Sequence, residues 1–279
     1  MLEFLLSPRR AERKPVWMLV VGIFYGLVSL LLANWVFSKS VLDDYMGILV
    51  VTFVVMFTMP FMYYLLRHEE EKEIVYNGKF KIIKEHSKAL LSLMWLFIGF
   101  IIAFSFWYIF TGNTYNFKAQ IETYCYINHP SNFDLCAQEY GAGITGRFLS
   151  TERFLVIFLN NVYVLMFTLI FSLIFGAGAI FILAWNASVI AVAIGIFAKT
   201  DIKLWPMGIA RYMIHGIPEI AAYFIGAIAG GMLSMAIVRQ EFTKDRMKAI
   251  FHDFISLVLI AIIFLLIAGF IEVYIFSLF

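Results

Sequence analysis

Apolar runs of about 20 residues alternate with short charged stretches along almost the whole chain. A helix needs about that length to cross the hydrocarbon core of a bilayer, whereas a membrane β-barrel would show shorter segments of alternating polarity. We therefore predict an all-α, polytopic membrane protein with about seven transmembrane helices. The predicted spans cover approximately residues 16–37, 45–66, 89–110, 154–198 (two spans), 218–238 and 254–276.

The run 154–198 is too long for one crossing, and Gly176-Ala177-Gly178 lies near its middle. We therefore predict two helices that are joined by a tight turn at these glycines. Composition supports the membrane assignment, because only 14% of the residues are charged, compared with about 25% in soluble domains. The mean hydropathy is correspondingly high, at +0.88.

Basic residues are concentrated in three stretches that a seven-span topology puts on one side of the membrane. By the positive-inside rule this side is cytoplasmic, so we predict a cytoplasmic amino terminus and an external carboxyl terminus. We expect the first span to remain as an anchor, because it is too long for a signal peptide and no small-x-small cleavage site follows it. The net charge of +2 gives no indication of a nucleic-acid partner. The basic residues are Arg9, Arg10, Arg13, Lys14, Arg67, Lys72, Lys79, Lys81, Lys84, Lys88, Arg239, Lys244, Arg246 and Lys248.

The largest segment between spans, residues 111–153, is predicted to lie outside and holds both cysteines of the chain, Cys125 and Cys136. An oxidising compartment favours a disulfide between them, and two free thiols are the alternative. A bridge across so short a loop should contribute about 2–3 kcal/mol of stability.

On the predicted cytoplasmic side, the segment 68–88 mixes acidic and basic residues and contains an Asn77-Gly78 turn signal. This composition is typical of a solvated, partly helical connector. A docking surface for a cytoplasmic partner is the alternative.

Two carboxylates, Glu219 and Glu272, fall well within the apolar spans. Helix rise places Glu272 about 27 Å from the cytoplasmic end of the last span, and Glu219 begins the sixth span at its outer end, so both should lie near the outer face. Asn160 and Asn161 lie about 9 Å into the fourth span, and Asn186 falls near the middle of the fifth. Because polar groups are costly inside a membrane, these residues form a candidate polar cluster.

The segment His215-Gly216-Ile217-Pro218-Glu219 puts an ionisable histidine, a carboxylate and two helix breakers at the start of the sixth span. Pro218 removes a backbone donor and clashes with the preceding turn, so we predict a short interfacial or re-entrant helix that ends in a break at Gly216. Such a break is tolerated only against protein or a water-filled cavity, which indicates a polar pocket. Arg211 precedes His215 by four residues, as His215 precedes Glu219, so we include Arg211 in the candidate polar cluster.

Three uses of this cluster are open. It could be a hydrogen-bonded network that pins helices together, or the substrate or ion site of a transporter. His215, Glu219 and Glu272 could also bind a divalent metal, although this set lacks the His-Glu-x-x-His pattern of zinc peptidases. We therefore expect no cofactor, with a metal at these three residues as the alternative.

Small residues recur at every fourth position of the sixth span, which allows a neighbouring helix to approach closely. Ala187, Ala191 and Gly195 form a similar stripe on the fifth span. We predict that these stripes pack within the chain, with a homodimer contact as the alternative. The stripe on the sixth span consists of Ala222, Gly226, Gly230 and Ser234.

Together these motifs resemble the stage II sporulation protein M family. The resemblance covers about residues 89–279 and implies a five-helix core there, with 111–153 as its outer loop. Residues 1–88 would then be an added two-helix hairpin with a cytoplasmic segment. The resembling motifs are Asn160-Asn161, Gly176-x-Gly178, Asn186, His215-Gly216-Ile217-Pro218-Glu219-Ile220, Ala227-Ile228-Ala229-Gly230 and Ala268-Gly269-Phe270-Ile271-Glu272.

Sporulation members of this family are integral membrane subunits of a complex with peptidoglycan-degrading enzymes. The resemblance implies a non-enzymatic subunit of the cell membrane, which scaffolds or anchors an envelope-associated complex through membrane or envelope protein partners. A transporter or channel-like protein that uses the polar cluster is the first alternative, and a metal-dependent intramembrane hydrolase is the second. The polar positions that carry over, without an assigned role, are Asn160, Asn186, His215, Glu219 and Glu272.

Overall fold

The computed structural model describes residues 8–37, 42, 45–73, 82–112, 114–128, 136, 150–175, 179–199, 201–239 and 244–275. Nine α-helices make up most of this described part of the chain. They are α1 (Pro8–Arg13), α2 (Trp17–Phe37), α3 (Met46–Glu73), α4 (Ile82–Thr111), α5 (Lys118–Asn128), α6 (Ser150–Phe175), α7 (Ala179–Ala198), α8 (Trp205–Arg239) and α9 (Lys244–Phe270). A π-helical turn, Ile271–Ile275, continues α9, and the 3₁₀ turns Tyr115–Phe117 and Ile202–Leu204 precede α5 and α8.

Seven of the helices in the described ranges are long and apolar enough to cross a membrane, namely α2, α3, α4, α6, α7, α8 and α9. Strands are absent from these ranges. The prediction of an all-α, polytopic membrane fold is therefore confirmed. The predicted turns at Asn77-Gly78 and Gly176-Ala177-Gly178 lie outside the described residues.

Helix α8 lies at the centre of the bundle, where it packs against α3, α4, α6, α7 and α9. Every residue from Ala222 to Ala236 is buried. A helix that is apolar on all sides can be enclosed in this way by its neighbours. The part of α8 from Ala222 to Ala236 is therefore enclosed by neighbouring helices, directly after the turn that carries Glu219.

The first span packs closely onto the third. A Cβ atom at Gly22 of α2 would meet the carbonyl oxygen of Leu96 and would lie 3.0 Å from the Cα of Gly99 of α4. Only glycine fits so close a crossing of two helix backbones. Helix α2 also stacks the ring of Tyr25 on Phe57 of α3, with 5.8 Å between the ring centroids. Helix α2 is therefore an integral part of the bundle.

Helix α8 is continuous from Trp205 to Arg239, so the predicted break at Gly216 and the separate re-entrant helix before the sixth span are wrong. Pro218 lies inside α8, as Pro60 does inside α3. A proline in a helix removes one backbone hydrogen bond and costs about 3 kcal/mol, which neighbouring helices can offset in a membrane. Gly216 and Ile220, on either side of Pro218, are both buried, so packing holds the helix together here.

The segment after the second span is not solvated throughout. Glu69 and Glu70 near the end of α3 and His86 near the start of α4 are all buried. His86 Nδ1 lies 2.5 Å from Glu69 Oε2, and His68 Nε2 lies 3.8 Å from Glu12 Oε1 of α1. For these residues the prediction of a solvated connector is wrong, because the ends of α3 and α4 are joined by a buried carboxylate–imidazole contact.

Candidate functional site

A tyrosine and two carboxylates come together where the middle of α8 meets the π-helical turn after α9. The hydroxyl of Tyr223 donates a hydrogen bond of 2.9 Å to Glu219 Oε1, one turn away on the same helix. Tyr223 is fully buried, and Glu219 and Glu272 are partly buried. Glu272 lies close enough to Glu219 and Tyr223 to interact with both electrostatically. We call Glu219, Tyr223 and Glu272 the acidic cluster.

The backbone around Glu272 is unusual. Residues Ile271–Ile275 form a π-helical turn, a rare conformation that occurs frequently at functional sites. Two carboxylates that share a largely apolar environment repel each other when both are ionised. A proton or a cation held between Glu219 and Glu272 would relieve this repulsion, so binding either one is the chemistry that the acidic cluster can perform.

The predicted asparagines take different positions. Asn161 on α6 is buried (5% exposed), whereas the side chain of Asn160, about 100° around the same helix, is exposed. Asn186 on α7 donates its amide hydrogen bond to Ile182 O of its own helix at 2.7 Å. The structure thus brings Glu219 and Glu272 close to Tyr223, a residue that the sequence analysis missed, and it leaves Asn160 exposed.

Arg211 lies on the exposed surface of α8, with its guanidinium carbon 5.3 Å from the centroid of the Phe197 ring. The adjacent Tyr212 hydrogen-bonds to Tyr124 of α5. Burial raises the pKa of Tyr212 well above its ordinary value; the charge of Tyr124 and the hydrogen bond add to the rise, and Arg211 opposes it. Burial also raises the pKa of Tyr124, against the lowering effects of its hydrogen bond with Tyr212 and of Arg211. The contact between Tyr124 and Tyr212 joins α5 to α8. Nothing in the local sequence of either tyrosine indicated this contact.

His215 falls within α8, but its side chain lies outside the described residues. Within the part of the chain that the structure describes, no group of three His, Cys, Asp or Glu side chains could hold a metal ion. The metal alternative with His215, Glu219 and Glu272, and the hydrolase that would use it, therefore stay predictions.

The small-residue stripe on α8 packs against α6. A Cβ atom at Gly226 would lie 2.6 Å from Leu165 Cδ1, and one at Gly230 would lie 2.9 Å from Ser172 Cβ. Ser172 Oγ also donates a hydrogen bond of 2.6 Å to Ala227 O, across the two helices. Ala222 and Ser234 are likewise buried. These glycines pack within the chain, although their partner is the fourth span rather than the fifth.

The stripe on α7 has a different neighbour. A Cβ atom at Gly195 would meet the ring of Tyr108 on α4. Ala187 and Ala191 are buried on the same helix. The two stripes therefore serve two separate helix contacts, one of α8 with α6 and one of α7 with α4.

The described part of the outer loop is folded onto the ends of the helices. Cys125 and Cys136 form the predicted disulfide, and both are buried. Residues 115–128, which we call the outer platform after the side of the membrane predicted for them, pack against α3 and α7. Gln120 Nε2 donates a hydrogen bond of 3.0 Å to Gly47 O at the start of α3. Apart from residue 136, the part of the loop from 129 to 149 lies outside the described residues.

The fold and the acidic cluster define a multi-pass α-helical membrane protein with ionisable groups inside its bundle. A family model described as Stage II sporulation protein M matches residues 49–276. The chain therefore belongs to the stage II sporulation protein M family. The match begins within the second span, so it reaches further toward the amino terminus than the motifs quoted above.

An uncharacterised protein of Methanocaldococcus jannaschii is 34% identical over 123 residues, which cover 42% of this chain and 66% of that protein. The chain thus spans slightly less than two thirds of this relative. No solved structure matches the chain.

Proposed function

We propose that the protein is a non-enzymatic membrane subunit that scaffolds or anchors an envelope-associated complex through its outer platform. The observation that carries this proposal is that the platform is fixed to the bundle by side chains buried between Asn116 and Cys125. A partner that binds such a platform would be held at a fixed position relative to the membrane. Those side chains are Asn116, Phe117, Gln120, Ile121 and Cys125.

The opposite side of the platform carries exposed side chains. Tyr115 is 68% exposed, and Glu122 is also exposed. An exposed tyrosine with a nearby charge suits a protein partner, because aromatic residues are enriched in protein interfaces. Membership of the family supports an envelope protein as the class of partner. It does so only by analogy, since function is carried by sites rather than by folds.

The test compares the purified wild-type protein with the variant Tyr115→Ser/Glu122→Lys. Both proteins are extracted from their native membrane in mild detergent, and the copurifying proteins are quantified by mass spectrometry. We expect a stoichiometric envelope protein with the wild type, reduced at least tenfold with the variant. The matched control is Lys248→Glu, an exposed charge at the other end of the bundle, which should retain the partner. A partner that both variants retain equally, or a wild type that purifies alone, would overturn the proposal.

The acidic cluster supports a second candidate, a transporter or channel-like protein. Glu219 and Glu272 are carboxylates inside a membrane, and such residues commonly mark proton or ion pathways. The test is proton and monovalent-cation flux in proteoliposomes, with Glu272→Gln as the variant and Thr52→Val, on the exposed surface of α3, as the control. Flux that Glu272→Gln abolishes and Thr52→Val preserves would favour the transporter over the scaffold. Equal leakage in wild type, Glu272→Gln and empty liposomes would remove the transporter.

A further inference from the structure

One face of α6 points away from the bundle, and its residues are spaced alternately three and four apart. The exposed fractions of its four apolar members are 61% for Tyr163, 56% for Phe167, 45% for Ile170 and 64% for Ile174. The fifth member is the exposed Asn160. Alternation of three and four is the spacing of the positions that meet in a left-handed pair of helices. We call these five residues the α6 seam.

Asn160 is the member of the seam whose polar side chain is energetically unfavourable inside a membrane. The apolar window of α6 begins at Ile157, so helix rise places Asn160 about 5 Å inside the apolar span. Two other exposed or half-exposed asparagines in the bundle satisfy their amides on their own helices, Asn34 through Leu30 O at 2.8 Å and Asn186 through Ile182 O at 2.7 Å. The side-chain amide of Asn160 makes no hydrogen bond with any described residue. An amide in hydrocarbon without a hydrogen bond is strongly unfavourable, so this side chain points to a partner that supplies one.

We propose that the α6 seam is the interface of a homodimer, in which the Asn160 amides of two copies hydrogen-bond to each other. An amide carries both donors and an acceptor, so it is complementary to itself. In a two-fold dimer whose axis follows the membrane normal, the two α6 helices run parallel and both Asn160 residues lie at the same depth. A different partner protein would need a polar group at that depth independently. A single asparagine in an otherwise apolar seam also fixes the register and number of helices that associate.

The rest of α6 is consistent with this role. Only 22% of its membrane-spanning window is buried within the chain, compared with 83% for α8. The side of α6 that is buried carries Leu165 and Ser172 against Gly226 and Gly230 of α8. The small-residue stripe, which was the sequence's candidate for a dimer contact, is thus occupied within one chain. The seam lies on the other side of α6 and leaves that contact intact.

Cysteine cross-linking in proteoliposomes tests the seam directly. Both natural cysteines are in the disulfide, so a single added cysteine reports on its own position. Ile170→Cys, at the middle of the seam, should give a disulfide-linked dimer on mild oxidation. The control is Met56→Cys on α3, which is more exposed than Ile170, at 60% against 45%, but lies on another helix. Cross-linking of Ile170→Cys that does not exceed that of Met56→Cys, over a series of lipid-to-protein ratios, would overturn the proposal.

A second variant tests the role of the amide. In the Ile170→Cys background, Asn160→Leu should weaken association about 3- to 30-fold, the range that corresponds to an interhelical polar hydrogen bond. Thr52→Val is the matched control, because Thr52 is exposed but already donates to Ile48 O at 2.9 Å. An unchanged association constant for Asn160→Leu would show that the amides do not pair. If Asn160→Leu fails to fold, Ile170→Cys alone still decides whether the seam is an interface.

Discussion

The hydroxyl of Tyr223 and the carboxylate of Glu219 are joined by a hydrogen bond of 2.9 Å across one turn of α8. Tyr223 is fully buried at the centre of the bundle, so water cannot replace this bond. Tyr223→Phe should therefore destabilise the protein by about 1–3 kcal/mol, the cost of leaving a buried polar group without its partner. Reversible unfolding in mixed micelles measures this change.

A double-mutant cycle separates this bond from the loss of the hydroxyl itself. In a Glu219→Leu background the carboxylate is gone, and Tyr223→Phe should then cost much less than in the wild type. Equal costs of Tyr223→Phe in both backgrounds would show that the hydrogen bond contributes nothing measurable.

The spans could be predicted from sequence because each depends on one local property, about 20 consecutive apolar residues. Helix rise also predicted that Glu219 and Glu272 lie at a similar depth, and in the structure the two carboxylates are close enough to interact. Tyr223 was missed although it stands four residues after Glu219, because tyrosine is common in this chain and the sequence does not show which tyrosines are buried. The spacing of four was the available signal.

The contacts that hold the helices together could not be predicted, because they depend on which helices are neighbours. Gly22 and Gly99 are ordinary glycines in the sequence, and their close approach exists only once α2 crosses α4. The predicted break at Gly216 failed for the same reason. A local penalty at Pro218 was visible in the sequence, whereas the tertiary packing that offsets it was not.

Two glycines on α8 should respond oppositely to alanine. At Gly230 an added Cβ would lie 2.9 Å from Ser172 Cβ and 3.0 Å from Leu169 O, so α6 and α8 would have to separate. Gly230→Ala should therefore cost about 1–3 kcal/mol. At Gly216 the nearest atom, Met213 Cε, would lie 3.4 Å away. Because α8 is continuous there, Gly216→Ala should stabilise the helix by about 0.5–1 kcal/mol.

Thermal unfolding of both variants in one detergent provides the measurement, and each serves as the control for the other. A destabilised Gly216→Ala would indicate that the backbone at Gly216 needs a conformation that alanine cannot adopt. That result would restore the helix break that the continuous α8 excludes.

Alkaline pH should loosen the attachment of the outer platform. The pKa of Tyr212 is raised in the folded protein by burial. The unfolded chain therefore loses this proton near pH 10, whereas the folded protein retains it. The contribution of the Tyr212 hydroxyl to the free energy of unfolding is therefore fully present below about pH 10. It declines as the pH rises from there toward the pKa of Tyr212 in the folded protein. The slope per group is about 1.4 kcal/mol per pH unit.

Tyr212→Phe should accordingly remove part of the alkaline decline, even if it lowers stability at neutral pH by removing the hydrogen bond with Tyr124. Melting temperatures of the wild type and the variant between pH 8 and about pH 11.5 provide the comparison. Parallel curves across the range above pH 10 would contradict the assignment.

The buried contact between His86 and Glu69 should be a strong link between α3 and α4. Nδ1 of His86 lies 2.5 Å from Oε2 of Glu69, and their side chains are 2% and 0% exposed. His86→Leu leaves the Glu69 carboxylate in the interior without its imidazole, which should cost about 3–5 kcal/mol. Glu69→Leu/His86→Leu removes both polar groups and should recover most of that loss.

The control for this comparison is His252→Leu, since His252 contacts Asp253 at 3.2 Å with a side chain that is 66% exposed. That change should stay within about 0.5 kcal/mol of the wild type. The measurement is the free energy of unfolding of the wild type and the three variants in the same micelles. If the double variant is no more stable than His86→Leu, apolar packing of the imidazole, rather than its contact with Glu69, joins the two helices.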